Sequence, residues 1–176
     1  MPPDPTDEQL LERYRETADG ASFAQLYHRY AARILSLFRR SGLPDELCEE
    51  LLQQTFLHVH RARNDFRAGG RFRPWLFAIA INTRREHFRW RFSRPEAPME
   101  ELPESPVAPD ATSVSDRLMR RALQQLPEEQ REVILLHWFE DLPFAEVAAI
   151  VGASVPAVKV RAHRGYERLR ATLGLQ

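Results

Sequence analysis

Residues 95–112 read PEAPMEELPESPVAPDAT, five prolines and five acids in eighteen residues. No other stretch limits the fold as much. Proline has no backbone donor, and it pushes the residue before it out of the α region. A run this dense therefore continues neither a helix nor the interior of a sheet. Its carboxylates repel one another, and it has too few apolar side chains for a core, so it reads as an extended linker. It divides the 176-residue chain into residues 1–94, the linker 95–112 and residues 113–176. Each flanking segment has to close its own core. At roughly 60 residues the second is small, and viable if helical.

The apolar spacing on both sides is helical, and no β alternation stands out, so the expected class is all-α: two small helical domains joined by a Pro/Glu-rich linker. Thr6 and Gln9 form a capping-box pattern ahead of a helix to about Thr17, which stops at Asp19-Gly20. Phe23, Leu26, Tyr27, Tyr30, Ile34, Leu37 and Phe38 recur at three and four over a helix of about 21–40, and Gly42 is a stop. Pro44-Asp45 opens a third helix, to about Arg63, with Asp45, Glu46, Glu49 and Glu50 at its positive end. One face of it is apolar, from Leu47 to Val59. The other carries Glu46, Glu49, Glu50, Gln53 and Gln54, either a solvated face or a docking surface for a basic partner.

Net charge is zero but unevenly distributed. Residues 61–94 hold ten arginines and two acids, while the flanking segments are each acidic by four charges. This local basic field points to nucleic acid despite the neutral total. The loop from Asn64 to Pro74 carries Phe66 and Phe72 among Arg67, Arg71 and Arg73. These rings either tuck onto the core or wall a pocket for an unstacked base. A helix from Pro74 to about Phe92 follows. On its wheel Leu76, Phe77, Ala80, Ile81 and Phe88 share one face, and Trp75, Asn82, Arg85 and Arg89 the other. Guanidinium beside exposed tryptophan suits phosphates and unpaired bases, although spacing alone also allows a solvated basic face.

Beyond the linker, helices are expected from Ser113 or Val114 to Leu126 and from Glu128 to about Asp141. Two tightly joined helices then follow, PFAEVAAIVG and SVPAVKVRAHRGYERLRATLG, with Gly152 at the turn and Ser154 as N-cap. Val155, Val158, Ala162, Tyr166, Leu169 and Leu173 form the apolar stripe of the last helix. Lys159, Val160, Arg161, His163, Arg164 and Arg168 lie outside it, the pattern of a helix-turn-helix whose second helix enters a major groove. Ala148, Gly152 and Val158 are expected to let the two helices cross closely. No catalytic constellation, metal cluster or cofactor motif appears. His58 and His60 point to different faces and read as packing residues. Cys48 is alone, there is no secretory signal and no long apolar run, so a cytoplasmic location without membrane insertion is expected.

Three stretches together resemble one family. DELCEELLQQTFLHVHRA, RFRPWLFAIAINTRREHFR and LPEEQREVILLHWFEDLPFAEVAAIVGASVPAVKVRAHRGYERLR are similar, in order and spacing, to the extracytoplasmic-function (ECF, group IV) sigma factors of bacterial RNA polymerase. The likeness spans about Asp7 to Leu173. It implies a sigma domain 2 in 1–94 and a sigma domain 4 in 113–176, acting without catalysis or cofactor on core polymerase and promoter DNA under an anti-sigma factor. It further implies that Glu46, Glu49, Gln53 and Gln54 bind core polymerase. Phe66, Arg71, Arg73, Trp75, Asn82, Arg84, Arg85 and Arg89 would read and melt the minus-ten element. Ser154, Lys159, Val160, His163 and Arg164 would meet the minus-thirty-five element. The linker would thread through the polymerase channel. Gln54, Glu86 and Val160 depart from the family's usual acid, aspartate and serine, which bears on the promoter sequence read. The chain ends at Gln176, so no fused C-terminal sensor domain is expected.

Overall fold

The order of elements follows from where the chain can start and stop a helix. The computed structural model describes residues 4–92 and 113–175. Its elements are α1 (Asp7–Thr17), α2 (Gly20–Arg40), α3 (Asp45–Ala62), a 3-10 turn (Arg63–Asp65), α4 (Phe72–Phe92), α5 (Val114–Gln124), α6 (Glu128–Ile134), a π turn (Leu135–Phe139), α7 (Phe144–Val151) and α8 (Val155–Leu173). No strand occurs among the described residues, so the all-α expectation holds. The expected linker 95–112 lies outside them. Two compact units emerge, Met1–Leu35 with Glu49–Arg94, and Ser36–Cys48 with Pro95–Gln176. Ser36–Cys48, which holds the end of α2, the turn after it and the start of α3, is grouped with the second unit.

In the first unit, Thr6 and Gln9 form the expected capping box on α1. Asp19 caps α2: Oδ1 accepts the Ala21 N–H at 3.0 Å and Oδ2 the Ser22 hydroxyl at 2.6 Å. These bonds, that from the Ser22 side chain first, hold the Asp19 carboxyl below its usual range. Asp7 ties α1 to α2. It pairs with Arg29 at 2.7 Å and accepts the Tyr30 hydroxyl, and burial together with that hydrogen bond pushes the phenol's pKa up. The core between the helices is Leu10, Leu11, Leu26, Ile34, Leu51, Phe56, Val59, Phe72, Leu76, Phe77 and Ile81. Full burial of each such side chain contributes on the order of 1.5–3 kcal/mol. His58 bonds Thr83 Oγ1 at 3.0 Å and His60 bonds the Tyr14 hydroxyl, the packing roles expected of both.

In the second unit, Arg131 closes the end of α5. Its Nε donates to Leu123 O at 3.0 Å, and Nη2 donates to Gln124 O at 3.0 Å and Leu126 O at 2.8 Å. One guanidinium thus gathers carbonyls of the last turn of α5 and of the residue just beyond it, where helical donors run out. The expected single helix 128–141 instead widens into the π turn after Ile134. There His137 Nδ1 meets Leu142 O at 2.7 Å and the imidazole stacks on Phe144 at 3.8 Å. The last helix departs from its expected stripe at Tyr166, which is exposed and edge-on to Trp138 at 4.7 Å. Gly165 takes a place in the buried line with Val158, Ala162 and Leu169. A Cβ there would lie 2.5 Å from Ile134 Cδ1, so Gly165 permits the close helix approach. Gly152 supplies the left-handed cap expected at the turn, with φ +71°, but has no neighbour near its missing Cβ and so takes no part in the expected close crossing.

Candidate nucleic-acid interface

The interface begins with a capping contact across the first unit. Glu8 of α1 accepts the Phe72 N–H at 2.9 Å, which starts α4 two residues before Pro74. This start places Phe72 inside. Its ring is buried, 5.5 Å from Tyr30 and 5.9 Å from Trp75. Phe72 is therefore a core residue and not a pocket wall. Phe66 stays half-buried in the loop and packs edge-to-face on Trp75 at 5.1 Å. Gly70 closes the loop: its N–H donates to Arg67 O at 2.9 Å, and a Cβ would come 2.9 Å from that carbonyl and 3.4 Å from the Phe66 ring.

Between this loop and α1 lies a small cleft of about 120 Å³, bordered by Glu8, Glu12, Arg15, Phe66 and Gly70. Its α1 wall was not foreseen. Glu8 and Glu12 lie more than fifty residues before the loop, and no local pattern joins the two. Along α4, Asn82 and Arg89 are exposed and Trp75 and Arg85 half-buried. Arg71 is exposed at the loop end and Arg73 half-buried at the helix start. Trp90 adds an indole 58% exposed beyond them. Arg84 departs from the set. It is 4% exposed, one turn from Ala80 and Ile81, and its guanidinium belongs to the interior. The correction is physical: α4 turns Arg84 onto the same face as Phe77, Ala80 and Ile81.

Along α3, Glu46, Glu49 and Gln53 are exposed, and the half-buried Gln54 donates to Glu50 Oε1 at 2.8 Å. Leu57, one turn beyond Gln53, is 45% exposed and extends the same face. The signal for it was present, since Leu57 falls outside the apolar line of Leu51, Leu52, Phe56 and Val59.

In the second unit the helix-turn-helix is α7, Gly152 and α8. Ser154 Oγ accepts the Ala157 N–H at 3.4 Å, so this side chain starts α8. Lys159, Val160, His163 and Arg164 are all exposed on the N-terminal half of α8. Arg161 is held by Glu129 at 3.0 Å. No helix among the described residues is long and apolar enough to cross a membrane, and none of their His, Cys, Asp or Glu side chains cluster as a metal site.

Residues 26–91 match the Sigma-70 region 2 family model, and residues 116–169 match Sigma-70, region 4. The RNA polymerase sigma factor CarQ of Myxococcus xanthus is 40% identical over 93% of this chain and 95% of its own length. The ECF RNA polymerase sigma-E factor of Salmonella typhimurium is 30% identical over 93% of this chain and 92% of its own. Among solved structures, CnrH in complex with the cytosolic domain of CnrY is 27% identical. It has a TM-score of 0.74 and covers 96% of this chain and 97% of that one. The sigma factor RpoE of Bartonella quintana, solved with the anti-sigma factor NepR, shares the fold at TM-score 0.73 with 23% identity, over 88% of this chain and 98% of that one. An exposed arginine-aromatic helix in the first unit, a helix-turn-helix in the second and these relatives along nearly the whole length lead to one assignment: the chain belongs to the extracytoplasmic-function sigma factors of bacterial RNA polymerase.

Proposed function

We propose that this chain is a non-catalytic, cytoplasmic promoter-specificity subunit whose two halves divide the work. Residues 1–94 dock on core polymerase and open the minus-ten element, and residues 113–176 hold the minus-thirty-five duplex. The observation that carries this reading is the α4 set: Arg71, Trp75, Asn82, Arg85 and Arg89 together outside the core, with Phe66 edge-on to Trp75. Cationic groups follow the strand while an aromatic face holds an unstacked base. That capture offsets unstacking, which costs on the order of a few kcal/mol per step. Arg73 supports the same strand from the helix start, and Arg84 supports the helix from inside. Glu46, Glu49, Gln53 and Gln54, with Leu57 added, form the polymerase-facing side of α3. Lys159, Val160, His163 and Arg164 face the duplex, with Ser154 setting the start of their helix. Residues 95–112 tether the two readers, which raises the effective concentration of the second contact once the first is made.

Run-off transcription with core polymerase, with and without this protein, across candidate promoters tests the reading. Promoter-specific transcripts should appear only when it is added, and a core enzyme that gains no promoter from it sinks the proposal. By likeness to CnrH, which was solved with a partner protein, this chain would also be held by an anti-sigma factor covering its polymerase-binding faces. A co-purifying partner that leaves run-off transcription unchanged would count against that regulation.

A further inference from the structure

The face of α8 opposite its core has an apolar centre. The buried line is Val158, Ala162, Gly165 and Leu169. Turned away from it, at successive i+4 positions, stand Pro156, Val160 and Arg164. Val160 is 48% exposed, and the neighbouring Pro156 and Ala157 extend its apolar surface toward the start of the helix. A β-branched side chain half exposed on a helix gains little packing and is a poorer helix former than most, so the fold does not require valine there. Pro127 and Gln130 join these residues in bordering a groove of about 410 Å³. The Glu129–Arg161 pair, 3.0 Å apart, borders it as well and ties Arg161 to its own domain. Lys159, His163 and Arg164 stand around Val160 with hydrogen-bond donors, while Val160 itself offers neither donor nor acceptor.

We infer that Val160 reads the methyl group of a thymine in the major groove, so that the duplex element this chain prefers carries thymine beneath it. The inference rests on α8 being the duplex reader. In the major groove guanine, adenine and cytosine are distinguished by their donors and acceptors, whereas thymine alone also presents a methyl group, at C5. Valine against a polar edge strips water from a donor or acceptor and returns no hydrogen bond. Against the methyl it buries apolar surface on both partners. Cationic neighbours fix the helix on the phosphates, and the apolar centre supplies the discrimination.

The test uses the full chain with core polymerase on a promoter from which that holoenzyme initiates. Each thymine of the duplex element is replaced singly by deoxyuridine, which removes only the methyl. One position is expected to weaken binding about fourfold, the effect of one buried methyl. At that position the V160S protein should bind the thymine and deoxyuridine promoters equally. Cytosine placed there should weaken binding further, and 5-methylcytosine should recover part of the loss, which separates the methyl from the thymine O4. If no thymine responds, or if V160S keeps the discrimination, the inference is overturned while α8's assignment stands. If replacing the whole element leaves binding unchanged, α8's assignment as the duplex reader is overturned instead.

Discussion

Arg84 and Arg85 are adjacent and chemically identical, yet one is buried and the other reaches the surface of α4. Both read as strand contacts in the sequence because arginine near tryptophan invites that reading. The spacing already separated them: Arg84 lies three and four residues from Ile81 and Ala80 and four from Phe88, on the apolar wheel position. Here helical geometry outweighed charge. The two should therefore fail differently when truncated. Arg84→Ala empties buried volume beside Ala80 and Ile81 and should lower stability by about 2–3 kcal/mol in urea titration. Arg85→Ala should stay within about 0.5 kcal/mol. Combined with Trp75→Ala, it should impair open-complex formation, followed by permanganate reactivity of unpaired thymines, while leaving core-polymerase binding intact. Equal stability of the two single variants would contradict the placement of Arg84. Phe72 makes the same point: in a string of arginines it resembles a base platform, and only the Glu8 carboxylate on its N–H shows which way the chain turns.

At the scale of elements, capping and close contact decide where helices begin and cross. The Asp19 carboxyl is lowered by the Ser22 and Ala21 hydrogen bonds, so its contribution to stability is full above the ordinary carboxylate pKa and is lost as pH falls through the folded value. Comparing Tm of the wild type and Asp19→Asn across pH should show a wild-type lead above about pH 4 that closes on acidification. A lead that grows in acid would reverse the sign and refute the cap's role. In the second unit the glycines separate by mechanism. Gly165→Ala should be nearly neutral, because about 1 kcal/mol of helix propensity offsets displacement of the Ile134 methyl. Gly165→Val should cost about 1–3 kcal/mol by overpacking against Ile134 and Gln130. Gly152→Ala should cost about 1–2 kcal/mol for its left-handed backbone alone. Thermal melts of the three variants distinguish the cases. The capping box at Thr6 and the turn at Gly152 were legible because each is written in consecutive residues. The π turn after Ile134 was not. It depends on His137 stacking on Phe144 and meeting Leu142 O, contacts made only once the next helix folds back.

At the scale of the whole molecule, neutral net charge conceals a basic middle between acidic ends, and the proposed function gives one chain two promoter readers. If both readers act together, adding about half a helical turn, ~5 base pairs, between the promoter elements rotates one away from its reader. Initiation should then fall on the order of a hundredfold, since the avidity gained through a tether is lost when geometry forbids joint engagement. An unchanged rate would mean that the elements are read independently. The sequence by itself determined the all-helical class, the helix-turn-helix and the family, because helical periodicity, caps and motif spacing are local properties of the chain. Tertiary structure alone decided that Phe72 is core, that Glu8 and Glu12 border the Phe66 cleft, that Tyr166 is exposed and that Gly165 sits against Ile134. Each of these depends on which distant residue arrives to fill the space, and burial is settled by that arrival.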